Sequence, residues 1–180
     1  MNISIWHRIL AVAAIIVLAG STGDRAQAQS TQIRLDYAMT LFAPLEPPKS
    51  ISPGLAIVNI KDGGTVTGPG ISGRIIAPAG DWLRPMADGS ARGDVRATLV
   101  TDDNALIYLE YNSVIKPTKE GAEKSRAGQE LGTDDAYFMM TLRFHTAAEK
   151  YTWLNHVQAI GKMVSLKRGD HVKYDIFIAR

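Results

Sequence analysis

Apolar and polar side chains alternate along several short segments, and this period of two is the sequence feature that most restricts the fold. Such alternation is typical of a β-strand that buries one face. The pattern predicts strands at 32–42, 93–101, 137–145 and 172–178. In the predicted strand at 137–145 the inward residues are Phe138, Met140, Leu142 and Phe144.

Turn-forming residues separate these segments, and no strongly periodic long helix is present. The whole pattern contains about eight or nine short strands, which is typical of an all-β sandwich or barrel. The chain has no cysteine, so no disulfide can protect an exposed strand edge. We therefore predict an all-β fold, an antiparallel closed or nearly closed β-barrel, because closure removes exposed edges. A β-sandwich is the alternative.

The segment 63–82 combines two strands with glycine-rich turns. Asp62-Gly63-Gly64 follows a short apolar strand and predicts a hairpin that leads into 65–67. Gly68-Pro69-Gly70 predicts a corner, which is followed by a strand at 71–79.

Two segments nearer the C-terminus differ in character. Residues 113–135 are charged and contain Pro117, so they predict a long loop or a short helix at about 119–127. A connection of this length favours a lid or a disordered flap over a plain turn. Residues 151–160 have larger and more apolar side chains, and we predict a strand there.

The N-terminal part has the pattern of a signal peptide. An apolar run at 9–20 is too short to span a bilayer, and Ala26-Gln27-Ala28 matches the small-x-small cleavage site. We predict a signal peptide at 1–28 and a single mature domain at 29–180, periplasmic or secreted, with no stable membrane span after cleavage. An uncleaved N-terminal anchor is the alternative.

The charge of the mature domain is close to neutral. Without residues 1–28 the chain has 18 basic and 17 acidic residues. No strong field would attract nucleic acid or an anionic membrane, and the basic residues do not share a face with aromatic ones. Nucleic acid is therefore not expected as a partner.

Three motifs occur in order along the chain. The first runs from Gly63-Gly64-Thr65 to Gly80-Asp81-Trp82. The second runs from Thr101-Asp102-Asp103-Asn104 to Tyr108. The third runs from Tyr137-Phe138 to Trp153-Leu154-Asn155. Together they resemble the DUF3237 family, also called UPF0311, over roughly Asp36 to Ile178. The resemblance implies a compact β-barrel domain and no established general function.

Two positions differ from the usual pattern of that family. Asn104 stands where glycine is frequent, and Met139 stands where arginine is frequent. The second difference removes a charge from the strand that leads to Phe144, so the resemblance implies no chemistry here that depends on that charge.

Asp81 and Trp82 form the first candidate site. An acid beside an indole could be a general base next to a wall that stacks on a substrate. Burial would raise the pKa of Asp81 and suit it to that role. The alternative is structural, with Asp81 capping a turn and Trp82 closing the barrel end.

Further candidates for substrate binding come from the alternation pattern. Tyr151, Trp153 and Asn155 would share one face of the predicted strand, and a buried carboxamide there could bind a ligand carbonyl. Tyr37 and Tyr174 face inward by the alternation of their own strands. The alternative is that Asn155 ties a neighbouring backbone and the tyrosines have structural partners.

Other chemistries lack support in the sequence. The three histidines of the mature domain, His145, His156 and His171, are not spaced like metal ligands, so no metal site is expected. No Gly-x-Ser-x-Gly elbow and no phosphate-binding loop occur, and no cofactor is expected. Asp102 and Asp103 are better explained as turn residues than as a catalytic pair.

Three hypotheses for function follow. The first is a barrel that binds a small apolar or aromatic molecule in its interior. The second is a cofactor-free lyase, isomerase or hydratase that uses Asp81 as a base. The third is a structural or interaction barrel filled by its own side chains. A homo-oligomer is compatible with all three.

Overall fold

The computed structural model describes residues 32–180, and the predicted signal peptide lies outside these residues. The described part contains eleven strands, one α-helix and one 3₁₀ helix. The strands are β1 Leu35–Pro44, β2 Lys49–Ser52, β3 Leu55–Ile60, β4 Thr65–Gly68, β5 Ile71–Pro85, β6 Ala91–Thr101, β7 Leu106–Pro117, β8 Leu131–Gly132, β9 Ala136–His145, β10 Ala159–Lys167 and β11 His171–Ala179; the α-helix α1 is Lys119–Arg126 and the 3₁₀ helix is Glu149–His156.

Eight of the strands close into an antiparallel barrel, which confirms the predicted fold class. Their order is β5-β4-β1-β11-β10-β9-β7-β6, and β6 pairs again with β5 to complete the ring. β2 and β3 extend the sheet beside β5, and β8 pairs with β10. Closure leaves the eight barrel strands without a free edge, as expected for a chain that has no disulfides.

β5 is long enough to pair with two different strands along the same edge. Its first part pairs with β4, where Gly68 opposes Ile71, and its second part pairs with β3, where Val58 opposes Asp81. Within the described residues no pairing joins β3 to β4, so the hairpin predicted at 62–64 is wrong. Instead the turn lies along β5, and Asp62 accepts a hydrogen bond of 2.7 Å from the backbone N–H of Ala77.

The segment 151–160 is the second error of the sequence prediction. Glu149–His156 forms a 3₁₀ helix, and only Ala159 onwards is a strand. Tyr151 and Leu154 are the buried residues of this helix. Their separation of three residues matches one 3₁₀ turn, which overrides the apparent alternation of large side chains.

The charged connection contains the short helix that its sequence predicts. Thr118 caps α1 by accepting a hydrogen bond of 3.0 Å from the N–H of Gly121. A side chain at Gly121 would collide with the backbone of Asp135, so glycine permits the close contact that fixes α1 against the following segment. No helix in residues 32–180 has the length and hydropathy needed to cross a bilayer.

The two ends of the barrel differ in how they are filled. At one end, which we call the closed end, the 3₁₀ helix lies beside the β6–β7 turn and buries Tyr151 and Leu154. At the opposite end, which we call the open end, the chain places α1, β8, the end of β1 and the turn between β10 and β11. The inward residues of the barrel form a single cluster that links both ends.

Candidate functional site

The open end of the barrel contains a cavity of about 280 Å³. Its walls are mostly apolar. Three polar side chains, Asp81, Tyr111 and Tyr174, share this lining, and Ser125 and Arg168 contribute from α1 and from the β10–β11 turn. The apolar walls are formed by Leu45, Pro48, Ala56, Val58, Ile60, Leu83, Pro85, Ala91, Val95, Ile115, Pro117, Leu131, Ala136, Phe138, Leu166 and Val172.

Asp81 faces this cavity because of its register in β5. It opposes Val58 of β3 and Val95 of β6, and both valines are buried inward. The β5–β6 ladder pairs Asp81 with Val95 and then Arg84 with Arg92, leaving a gap between these pairs. In that gap the Oδ1 atom of Asp81 accepts a hydrogen bond of 2.9 Å from the backbone N–H of Asp94.

The electrostatic surroundings of Asp81 favour its neutral form. Burial raises the pKa of Asp81 to about 6, the nearby charge of Asp94 adds to this increase, and the hydrogen bond from the Asp94 backbone opposes it. Within residues 32–180 no cation pairs with Asp81 and no donor bonds its Oδ2 atom. The carboxyl group can therefore gain and lose a proton close to neutral pH.

Gly93 provides the space that the carboxyl group occupies. A Cβ atom at this position would lie 3.2 Å from both carboxylate oxygens of Asp81 and would overlap the Oγ atom of Ser113. That hydroxyl accepts a hydrogen bond of 3.1 Å from the N–H of Gly93. The two backbone donors in the ladder gap are thus bonded by the side chains of Ser113 and Asp81.

Tyr111 and Tyr174 form a hydroxyl pair in the same cavity. The hydroxyl of Tyr111 donates to that of Tyr174 at 3.3 Å, and the two rings meet edge to face with centroids 6.0 Å apart. Tyr174 also meets Phe138 edge to face at 5.6 Å. Burial raises the pKa of both tyrosines, and the charge of Asp81 adds to this effect, so both stay protonated at neutral pH.

The direction of that hydrogen bond leaves one donor free. Tyr174 accepts the proton of Tyr111, and its own hydroxyl proton has no acceptor within residues 32–180. Between its apolar walls the cavity therefore offers a ligand the hydroxyl donor of Tyr174 and the carboxyl group of Asp81, in addition to Ser125 and Arg168.

Trp82 and Trp153 are predicted candidates for ligand binding that would have to face the barrel interior, and the structure places neither of them in the cavity. Trp82 is 40% exposed and Trp153 is 42% exposed. Successive residues of a strand point to opposite faces, so Asp81 and Trp82 cannot both face the cavity. On the outer face the guanidinium of Arg96 lies 5.4 Å from the centre of the Trp82 ring.

Tyr37 also lies outside the barrel, because β1 contains a bulge. The pairing with β11 shifts between Tyr37 and Met39, so the alternation changes face at Ala38. The ring of Tyr37 then packs on Phe177 at 5.9 Å, and its hydroxyl lies 2.8 Å from the Oγ1 atom of Thr40. Regular alternation in the sequence cannot show such a shift.

Tyr151 and Asn155 have structural partners. The hydroxyl of Tyr151 donates to the carboxylate of Asp103 at 3.0 Å, and this ties the 3₁₀ helix to the β6–β7 turn. The carboxamide of Asn155 bonds both the N–H and the C=O of Thr146, at 2.9 and 2.8 Å. Of the seven predicted site residues, only Asp81 and Tyr174 line the cavity.

Tyr111 is the site residue that the sequence analysis missed. It continues the alternation of Ile107 and Leu109 along β7, and all three are buried. That alternation was hidden because the segment is apolar on both faces apart from Glu110. Within residues 32–180 no group of three or more His, Cys, Asp or Glu side chains could hold a metal ion.

The chain is a small antiparallel barrel whose open end contains a mostly apolar cavity with an acid. The chain belongs to the family described as "Protein of unknown function (DUF3237)", whose model matches residues 33–179. This membership confirms the resemblance seen in the three sequence motifs.

Individual relatives agree with this assignment. The chain is 27% identical over 114 residues to a UPF0311 protein from Rhodopseudomonas palustris, covering 63% of this chain and 73% of the relative. A β-barrel-like protein from Acinetobacter baumannii aligns with a TM-score of 0.70 and 29% identity over 86% of this chain and all (100%) of that one. A protein of unknown function from R. palustris aligns with a TM-score of 0.77 and 23% identity, over 84% and 99% of the two chains, and shows the shared fold.

Proposed function

We propose that this barrel binds a small apolar or aromatic molecule with at least one oxygen atom in the cavity at its open end. The observation that carries the proposal is the cavity of about 280 Å³, whose apolar walls enclose a free tyrosine donor and a carboxyl group. Ligand sites commonly combine such walls with a few polar groups that fix orientation.

The size of the cavity limits the ligand. An apolar cavity of about 150 Å³ is sufficient for one benzene ring. A volume of about 280 Å³ therefore suits a molecule with two fused rings or an aliphatic compound of similar size. The hydroxyl of Tyr174 supplies the hydrogen bond that such a molecule would otherwise lose on leaving water.

A test of binding uses 2-naphthol, which has two fused rings and one hydroxyl. We expect saturating 2-naphthol to raise the Tm of residues 29–180, since a ligand that binds only the folded state stabilises it. Titration calorimetry should give one site per chain. Naphthalene, which lacks the oxygen, should bind about tenfold more weakly because Tyr174 gains no acceptor.

The variant Val58→Phe tests whether 2-naphthol binds in this cavity. Val58 opposes Asp81 and lines the cavity, so a phenyl ring there would occupy the space of the ligand. The matched control is Val114→Phe, because Val114 is 37% exposed and does not line this cavity. Loss of 2-naphthol binding in the first variant alone would support the proposal, whereas equal binding in both, or no binding to the unmodified protein, would contradict it.

We also propose that the protein is exported. The apolar run at 9–20 and the small-residue motif at 26–28 support this proposal. Expression of the full chain in a Gram-negative host should give a mature protein that starts at Gln29 in the periplasmic fraction. An intact mass that retains residues 1–28 would contradict cleavage.

A further inference from the structure

We propose that the cavity catalyses proton transfer at a carbon atom next to a carbonyl group, in a small cyclic ketone or a similar enolisable carbonyl compound. Asp81 is the base and the hydroxyl of Tyr174 is the donor to the carbonyl oxygen. This inference rests on the proposed function, because it assigns a reaction to the same cavity.

The carboxyl group of Asp81 is held in place by a hydrogen bond to only one of its two oxygens. Oδ1 of Asp81 is fixed by the backbone N–H of Asp94 at 2.9 Å, whereas Oδ2 has no donor within residues 32–180. The carboxyl group lies over Gly93, where the absence of a Cβ atom leaves the space that it needs. One oxygen is thus anchored, and the other is available to a ligand in the cavity.

The hydroxyl of Tyr174, which is the proposed donor, is also held in position by its neighbours. Tyr174 is 4% exposed, and its oxygen accepts the proton of Tyr111 at 3.3 Å. A hydroxyl that accepts one hydrogen bond becomes a better donor for the next. The rings of Tyr111 and Phe138 pack edge to face on Tyr174 and hold its hydroxyl in position.

These groups discriminate among classes of ligand. A carboxylate that bonded Tyr174 would lie close to the negative charge of Asp81, which is unfavourable. The cation of the lining, Arg168, is exposed and belongs to the β10–β11 turn. An ammonium group could pair with Asp81 but would give Tyr174 no acceptor. A simple alcohol could bond both groups, but it has no acidic C–H for the base. An enolisable carbonyl compound uses both groups, the oxygen accepting from Tyr174 and the adjacent C–H facing Asp81.

The reaction is balanced and involves no oxidation. The carboxylate of Asp81 takes a proton from the carbon next to the carbonyl, and the C–H electron pair forms a C=C bond. The carbonyl π electrons move to the oxygen, and the resulting enolate accepts a hydrogen bond from Tyr174. Asp81 then returns a proton to carbon, either the same atom or, in a conjugated compound, the far end of the enolate.

Hydrogen exchange of 2-tetralone tests this proposal. This ketone has two fused rings and enolisable protons, and in D₂O its exchange is followed by the loss of the C1 proton signal in NMR spectra. We expect the unmodified protein to accelerate exchange at least about 100-fold over buffer, which is the usual contribution of a general base. The proton held by Asp81 is replaced by deuterium from solvent between turnovers.

Two variants and their matched controls assign the roles. Asp81→Asn keeps an oxygen for the Asp94 N–H but removes the base, so exchange should fall to the buffer rate while 2-tetralone still binds. Tyr174→Phe should lower the exchange rate about 100-fold, as loss of one donor to a developing oxyanion does. Asp134→Asn and Tyr37→Phe make the same changes on exposed residues and should leave the rate unchanged.

The outcomes separate this inference from the proposed function. Binding of 2-tetralone without accelerated exchange would overturn the catalytic inference and leave the binding proposal intact. Binding of 2-naphthol without binding of 2-tetralone would also overturn it, because the carbonyl class would be excluded. Failure of both compounds to bind would overturn both, and exchange that survives in Asp81→Asn would contradict the role of this residue.

Discussion

Asp81→Asn should make the protein more stable at neutral pH, by about 2 kcal/mol in the free energy of unfolding. Burial raises the pKa of Asp81 from 3.8 to about 6, so the folded state opposes ionisation more than the unfolded chain does. A difference of about two pKa units corresponds to about 3 kcal/mol, and we expect about 2 kcal/mol because Asp81 is half-buried and solvent screens part of the effect.

The pH dependence has a defined sign. A raised folded-state pKa means that the folded protein holds the proton of Asp81 more tightly than the unfolded chain does. Below about pH 4 Asp81 is protonated in both states, so its ionisation costs no stability. Between pH 4 and 6 the unmodified protein loses stability, and above pH 6 the loss is complete. The groups that interact with Asp81 are Asp94, Tyr111 and Tyr174. The charge of Asp94 helps to raise the pKa of Asp81, and both tyrosines stay protonated in this range.

Urea unfolding at pH 4 and at pH 8 measures this effect. The Asp81→Asn variant should match the unmodified protein near pH 4 and exceed it at pH 8. Asp134→Asn is the matched control, because Asp134 is exposed, and it should show no such difference between the two pH values. A variant that is less stable at pH 8 would mean that Asp81 stabilises the fold, and its role as a strained functional acid would be lost.

An acid that lowers stability is typical of a functional site, because proteins tolerate such strain where activity requires it. Asp81 does have a structural bond, to the N–H of Asp94, but an asparagine could make that bond without the cost of a buried charge. The fold alone therefore gives no reason for a carboxyl group here, and a proton-transfer role does.

The strand pattern of the barrel could be predicted because alternation follows directly from burial of one face. Phe138, Met140, Leu142 and Phe144 are all buried on β9, as their spacing predicts. The turn at Asn104 also follows from residue type, since its φ of 63° suits asparagine. These features depend on local sequence and on the general requirement that one face of each barrel strand is buried.

The candidate site was harder to predict because irregularities decide which side chains face inward. A one-residue bulge moves Tyr37 to the outside, and a 3₁₀ turn removes Trp153 and Asn155 from any strand. The gap in the β5–β6 ladder, where Asp81 bonds Asp94, depends on the pairing of two strands and has no local signal. Asp81 is a sequence candidate because an acid beside an indole suggests a base next to a stacking wall, although the tryptophan itself faces outward.

Phe144→Ala should destabilise the protein by about 4 kcal/mol, whereas Phe138→Ala should cost about 1–2 kcal/mol less. Both residues are inward on β9, and they are 2% and 6% exposed. Phe144 does not line the cavity and is packed on all sides, so its removal loses burial and leaves a void. Phe138 already faces the cavity, so fewer contacts are lost when its ring is removed.

The shift of the urea unfolding midpoint at constant m-value measures the loss of stability in both variants. Phe177→Ala is the control, because it removes a partly exposed ring on the outer face of β11. If one end of the barrel is filled and the other is hollow, the cost should decrease from Phe144 through Phe138 to Phe177. Equal costs at Phe144 and Phe138 would mean that both ends are equally packed. The barrel would then be the filled structural type, and the space required for a ligand beside Asp81 and Tyr174 would not exist.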